Sequence, residues 1–546
     1  MGVSMRVKPP IRPRALRPLR LLVGLALAGS LVASCASADG EASGDSDTAV
    51  KVEHGIVGDQ PEPGAPREGG MLTMASYTSI TSLDPAKTPA MGSTGGTELA
   101  AIYDVLMRYD EDEGEFAPQL AESLDVSDDG LVSTLTLRDG VTFSNGDPLD
   151  ARSVTWSIQR YNDSHGDGAQ LWESMVQSVE ATGPYTVVFT LRQPWSEFPA
   201  MLAAGHGMIV SPRSVAGEDF VPIGAGPFVL DRFAPHEKLE LSARRDYWDG
   251  PPHLDSIRFV GLTGDSAKVE ALNAGDVQLA YLRSPRVIRQ ARADDRAGYI
   301  QTYPLASVLM VNNSVGRPGG DVRVRRAIAQ AIDLDAFNKR VDDGDGLPGA
   351  QIFPEWSPLH PDVEGIAYDP DSAAQLLDAA KRDGYDGHLS FLGVAAAKSQ
   401  TTALAVQSML QAVGFTVTLD LQASVADVIK KLNVDRDYDL SFSGISLPDA
   451  APVNKLTRAL RSTSDSNYLN YDNSEMDSLL SRLQSTDAGS AARRELLGEL
   501  QNLVNDTVPF VALGAAPTFT LWSDRLYGVD PTIDSILLFG NAWIEP

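Results

Sequence analysis

The chain has 546 residues, with 45 Lys and Arg against 73 Asp and Glu, a formal charge of −28 and an apolar share of 43%. That composition excludes a disordered, collagen-like or polytopic membrane chain, and its length predicts about three domains. The acidic balance argues against nucleic acid, which needs a clustered positive surface, and a single cysteine allows no intramolecular disulfide and no thiolate zinc site.

The first twenty residues carry Arg6, Lys8, Arg12, Arg14, Arg17 and Arg20 and no acid. An apolar run from Leu21 to Leu31 follows. It is too short for the roughly 20 residues that span a bilayer, so residues 1–34 read as a secretory signal peptide. No Arg-Arg pair precedes the run, which favours general secretion. The run ends in Leu31-Val32-Ala33-Ser34-Cys35, which resembles a bacterial lipobox with Val32 where Leu is commonest. Cys35 is thus the expected site of lipid attachment, at the outer face of the cytoplasmic membrane or in the periplasmic space. Residues 35–69 are rich in Asp, Glu, Gly, Ser and Pro and read as a disordered tether, so folding is expected to begin near Gly70.

Gly70 to Ala75 reads as a short strand, followed by the polar stretch Tyr77 to Asp84-Pro85. Leu99, Ile102, Tyr103 and Leu106 share one face of a helix predicted over 97–109. Leu131 to Leu137 alternates as a half-buried strand, and Asp150 is placed to cap a helix through about Tyr161. Tyr185 to Leu191 is a further strand, and Arg323 to Ile332 a helix. The best-marked helix spans 369–382, with Asp369 as N-cap, Pro370 at its first position and Gly384 as stop. Helix 401–413 leads into strand Phe415 to Leu421. The class is α/β with some α+β character.

No GxSxG elbow and no Gly-Lys dipeptide occurs, and no two of the seven histidines lie within five residues of each other. Asp435-x-Asp437-x-Asp439 begins like a calcium loop but has Leu440 where the loop needs Gly and Ser446 where it needs Glu, so it reads as acids flanking a strand. The acidic clusters Asp110 to Glu115 and Asp342 to Asp345 read as solvated loops. No catalytic or metal-ligating constellation emerges, and neither enzyme activity nor a cofactor is expected.

A dozen segments in order nevertheless carry a resemblance. They include Asp84-Pro85, Tyr103-Asp104-Val105-Leu106, Pro118-Gln119-Leu120-Ala121-Glu122-Ser123, Ser127-Asp128-Asp129-Gly130, Leu137-Arg138-Asp139-Gly140-Val141-Thr142-Phe143 and Asn145-Gly146-Asp147-Pro148-Leu149-Asp150-Ala151. Further on come Gly224-Ala225-Gly226-Pro227-Phe228, Tyr247-Trp248-Asp249-Gly250, Ala274-Gly275-Asp276, Arg325-Arg326-Ala327-Ile328, Tyr438-Asp439-Leu440 and Tyr468-x-Asn470. Over about 70–546 the chain resembles the extracytoplasmic solute-binding proteins of peptide-type ATP-binding-cassette importers, solute-binding family 5, the oligopeptide/dipeptide/nickel-binding family.

The resemblance implies a two-lobed periplasmic-binding-protein-like fold (type II, cluster C) with an extra subdomain inserted in lobe I. Lobe I is expected over 70–305 with the insert near 97–205, lobe II over 306–514, and a return to lobe I over 515–546. It implies a monomeric receptor that closes on a solute, most directly an oligopeptide or dipeptide, and delivers it to a permease and ATPase complex. A nickel chelate, an oligosaccharide or an opine-like amine remains an alternative solute, a surface sensor an alternative role, and a carboxylate-dependent hydrolase a remoter one. Relatives hold the peptide amine with an aspartate after the Tyr-Asp-Leu strand. Here that loop reads Ser443 to Pro452, with Ile445 in place of the usual Trp and Asp449 one place later than the usual acid, where Pro448 stands. The ligand-facing candidates are accordingly Gly444, Ile445, Ser446 and Asp449, with Tyr77, Ser79 and Ile80 from the loop after the first strand. Gly224 and Gly226 are expected to allow close backbone approach, and Tyr247 and Trp248 to pack.

Overall fold

The computed structural model describes residues 52–217 and 219–545, so Cys35 and the signal peptide lie outside the described residues. A twelve-stranded mixed sheet runs through both lobes. At its lobe I end lie Phe228–Ala234, Lys238–Ala243, Ser256–Gly261, Met71–Ser76 and Leu279–Leu282. At its lobe II end lie Leu440–Ser443, His388–Val394 and Thr416–Gln422. Two long antiparallel strands, Gly298–Val311 and Phe510–Trp522, join the ends.

Met71–Ser76 has parallel neighbours on both sides, Ser256–Gly261 and Leu279–Leu282. A strand in that position is covered on both faces, and every residue after Met71 is buried. Leu72 and Met74 accordingly enter one core while Ala75 enters the core on the opposite face. In lobe II the helices Val322–Ala331, Pro370–Arg382 and Ala397–Ala412 cover one face of the sheet, and Pro452–Leu460, Ser474–Gln484 and Ala491–Thr507 cover the other. Asp369 accepts from the Ser372 N–H, the cap expected of it.

Within 97–205 lies a separate four-stranded antiparallel sheet of Ala121–Val126, Val132–Leu137, Thr186–Leu191 and Val176–Ala181, packed with helix Ala151–Asp163 around its own core. Along Val132–Leu137 buried residues alternate with half-buried ones, as the pattern predicts. Asp150 and Ser153 form a reciprocal capping box.

Two expectations are corrected. The helix predicted over 97–109 stops at Tyr103, and Met107–Asp110 is a strand paired with Glu115–Pro118. Asp104 ends the helix: its φ is 56°, and its carboxylate accepts from the Val105 N–H, the Tyr247 hydroxyl at 2.6 Å and the Trp248 indole at 3.1 Å. Tyr247 and Trp248 therefore pack on lobe I, and burial pushes the Asp104 carboxyl above its usual range. Gly224 and Gly226 permit close approach to the carbonyls at the end of the same helix, where a side chain would collide with Ile102 and Ala101. The second correction concerns the tether. Gly55–Val57, expected to be disordered, pairs antiparallel with Gly298–Ile300, and Arg292 binds Glu53 at 2.8 Å. Backbone pairing and an ion pair supply the ordering that composition withheld.

From Val308↔Ala512 to Met310↔Phe510 the two long strands pair regularly; beyond a register shift the next matched pairs are Ser307↔Gly514 and Tyr303↔Ala516, the latter opening the regular run to Gly298↔Leu521. Between them Pro304, Leu305 and Ala306 oppose Ala515 alone, a bulge. Leu305 has a φ of +49° and Gly514 of +146°, and Leu347–Pro348 pairs with Ala515 and Gly514. A Cβ at Gly514 would run into the Leu347 carbonyl oxygen. Gly514→Ala should therefore lower stability by about 1–3 kcal/mol, measured by chemical denaturation. An unchanged midpoint would show that this crossing tolerates a side chain.

Candidate ligand-binding cleft

The bulge leaves carbonyls turned out of the ladder, and the loop after Leu440–Ser443 takes them up. The N–H groups of Ile445 and Ser446 donate to Leu305 O at 2.9 and 3.1 Å, and that of Leu447 to Pro304 O at 3.0 Å. Ser446 takes a φ of 55° to do so, and Gly444 leaves no room for a side chain against the Ala306 carbonyl. The N–H of Ser446, a candidate for ligand contact, is thus spent on the hinge, and Ile445 packs against a lobe II core. The loop is a fixed strap across the crossing strands.

Asp449 sits at the far end of that strap. Its Oδ1 is buried without a hydrogen-bond partner among the described residues, while Ser357 bonds the carboxyl. Burial raises its pKa, against the pull of nearby His54. His54 comes from the N-terminal segment and bonds Glu111 at 3.0 Å; Glu111 in turn accepts from the Tyr299 hydroxyl at 2.6 Å. The Glu111 bond holds the imidazole pKa above its usual value. Glu111, expected in a solvated acidic loop, is therefore a wall of the cleft.

The loop after Met71–Ser76 lies on another part of lobe I. Tyr77 is exposed and lies 5.9 Å from Tyr281, Ser79 packs against Gly261, and Ile80 is buried in the lobe I core, away from solvent. Beyond Tyr281, Ser535 bonds the hydroxyls of Tyr303 at 2.8 Å and Thr518 at 3.1 Å, and the Gln301 side chain at 2.8 Å. Asp534 and Ser535 both have positive φ, 56° and 57°, a local strain of the sort that gathers at functional sites. Asp534 pairs across the lobes with Lys455 at 3.2 Å.

Further contacts hold the inserted subdomain against lobe II. Glu197 accepts from the N–H groups of Val453 and Asn454, at 3.1 and 2.8 Å, at the start of helix Pro452–Leu460, and it ion-pairs with Arg493. The side chains of Glu197 and Arg493 are only 2% and 3% exposed. Arg458 pairs with Asp167 at 2.9 Å, and the Trp195 indole donates to Asn454 at 2.8 Å. A cavity of 60 Å³ remains between Met91, His206, Pro448, Asn454, Lys455 and Asp534, and one of 680 Å³ between residues 165–174 and 457–468. The lobes are closed.

Asp449 and Tyr77 are candidates from the sequence; His54, Glu111, Lys455, Asp534, Glu197 and Arg493 are not, because they become neighbours only through long-range folding. The acids of the calcium-like run are engaged: Asp437 and Asp439 pair with Arg317, at 2.7 and 3.5 Å, and Asp435 with Lys430. Among the described residues no cluster of three or more metal-ligating side chains occurs, and no helix is long and apolar enough to cross a membrane.

Comparison with known proteins adds the following. Residues 115–467 match the model of the bacterial extracellular solute-binding proteins, family 5. A probable di/tripeptide-binding protein 5 of Pseudomonas aeruginosa (strain UCBPP-PA14) is 30% identical over 315 residues, covering 52% of this chain and 60% of that protein. Di/tripeptide-binding protein 2 of the same strain is 25% identical over 478 residues, covering 81% and 89%. Among solved structures, the periplasmic binding protein DppA of Helicobacter pylori in complex with the peptide STSA superposes with a TM-score of 0.73 at 23% identity, covering 88% of this chain and 99% of that one.

Two outcomes are expected from the closed geometry. Replacing Arg493 with Met leaves Glu197 a buried unpaired acid only while the subdomain touches lobe II, so opening relieves it. The ligand-free Arg493→Met variant should have a larger radius of gyration by small-angle scattering than the wild type, and an equal value would deny Glu197 a part in closure. His206, stacked on Trp172 at 4.3 Å, is held neutral by burial, with its pKa pushed down to about 3 from 6.5. The stability this gives is complete above about pH 6.5 and falls as the pH drops toward 3, because the unfolded chain takes up the proton first. His206→Gln should flatten the loss of denaturation midpoint between pH 7 and 4; an unaltered slope would place that loss on other groups.

Proposed function

Because the chain belongs to the bacterial extracellular solute-binding proteins of family 5, we propose that it is the lipid-anchored receptor of an ATP-binding-cassette importer and that its solute is a peptide. The lobes close on the peptide by bending at Pro304–Ala306 and Gly514, and the closed form presents it to the permease. The observation that carries the peptide reading is Asp449: a carboxyl buried on the hinge strap, with Oδ1 lacking a partner, suits an ammonium group, which supplies three donors and the opposite charge. His54 lies close enough to perturb the same carboxyl, so a peptide amine there shares it with the His54 ring.

The di/tripeptide-binding names of the two Pseudomonas relatives support a short peptide. In this reading Cys35 carries the lipid anchor and residues 36–51 span from it to the described fold, on the outer face of the cytoplasmic membrane or in the periplasmic space. The receptor acts as a monomer, without catalysis.

Isothermal titration with a pool of short peptides tests the reading. The wild type should bind free peptides, and both Asp449→Asn and N-acetylation of the peptides should weaken binding at least about tenfold. Equal affinity for free and acetylated peptides would remove Asp449 as the amine anchor. Absence of all peptide binding would remove the peptide reading itself.

A further inference from the structure

Three parallel strands, Ser256–Gly261, Met71–Ser76 and Leu279–Leu282, end side by side on the lobe I wall. In open α/β sheets the crevice beyond the carboxyl ends of such strands is where ligands bind. Arg283 is the first residue beyond one of these ends and Tyr77 the first beyond its neighbour. The Arg283 guanidinium lies 5.2 Å from the centre of the Tyr77 ring, and Lys268 Nζ also lies 5.2 Å from it.

The two cations differ in what neutralises them. Lys268 is buried, donates to Tyr281 O at 2.8 Å and lies 3.4 Å from Asp265. Asp265 is also spent on the backbone: it accepts from the N–H groups of Arg283 and Ser284 at 2.7 and 2.6 Å, which fixes the turn that presents the Arg283 side chain. Arg283, by contrast, makes no ion pair among the described residues and is only half-buried. In a chain with 73 acids against 45 bases, an arginine held on an aromatic face without a carboxylate keeps its planar fork of donors free for one. Tyr281 joins this corner to the Ser535 cluster and so to Asp534 and Lys455 at the lobe boundary.

We propose that Arg283, seated on Tyr77, is an anion subsite of the cleft that takes a carboxylate of the bound solute. The inference rests on the peptide reading for one point, that the carboxylate is the peptide's C-terminal one. Amine and carboxylate are then held from different lobes, Asp449 on lobe II and Arg283 on lobe I, so a solute bearing both groups draws the lobes together where a solute bearing one does not. Arg283 sets specificity for a free carboxyl end.

The test uses the full-length protein and a pool of tri- to pentapeptides prepared with free and with amidated C termini. Wild type should bind the free form at least about tenfold more tightly than the amidated form. Arg283→Gln should bind both forms alike, at the affinity of wild type for the amidated one, and Arg283→Lys should recover part of the preference. The amidated peptides serve as the control for folding, since their binding does not involve the guanidinium. Wild type that binds both forms equally, or Arg283→Gln that keeps the preference, overturns the subsite and leaves the peptide reading intact. If wild type binds neither form, native mass spectrometry of the purified protein decides. A carboxylated non-peptide solute that Arg283→Gln loses would retire the peptide reading and uphold the subsite; any other result would retire both.

Discussion

The bulge at Pro304–Ala306 is the constraint on which the rest depends. Two strands of thirteen and fourteen residues cannot serve two lobes as a rigid ladder and still let them bend. The structure resolves this by setting three residues against one and by placing two of the backbones at positive φ. Such an interruption exposes carbonyls that must find donors, and Ile445, Ser446 and Leu447 provide them. The bulge and the loop of residues 443–452 are therefore one object. A shift at Leu305 is felt by the loop that carries Asp449, because the two are joined by hydrogen bonds.

Around this joint the charges divide the labour. Exposed pairs such as Arg482 with Glu499 contribute little to stability. The pairs that cross between lobes, Lys455 with Asp534, Arg458 with Asp167 and Arg493 with Glu197, are better shielded and exist only while the lobes are closed. Their desolvation cost is incurred at closure and recovered at opening. Such contacts tune the balance of two states without adding much to the free energy of folding.

Local signals made much of this fold legible. Caps at Asp150 and Asp369, the alternation along Val132–Leu137 and the apolar run of Met71–Ser76 each act within a few residues, and the elements they predict are present. Asp449 and Tyr77 are candidates only because the resemblance sets their loops beside the cleft, and no local signal marks either residue. What stayed hidden depends on distant partners. Asp104 ends a helix because Tyr247 and Trp248, more than a hundred residues away, need its carboxylate. Glu111 leaves the class of solvated acids because His54 and Tyr299 arrive beside it. Gly55–Val57 is a strand only because a free edge of the crossing strand is there to receive it.

That last strand bears on how load reaches the strands that join the lobes. The described chain begins where Glu53 O accepts from the Thr302 hydroxyl at 3.2 Å, two residues from Pro304. A pull applied at this strand therefore acts close to the bulge in the strands that join the lobes. A force applied there has a short lever arm about the crossing strands and exerts little torque between the lobes.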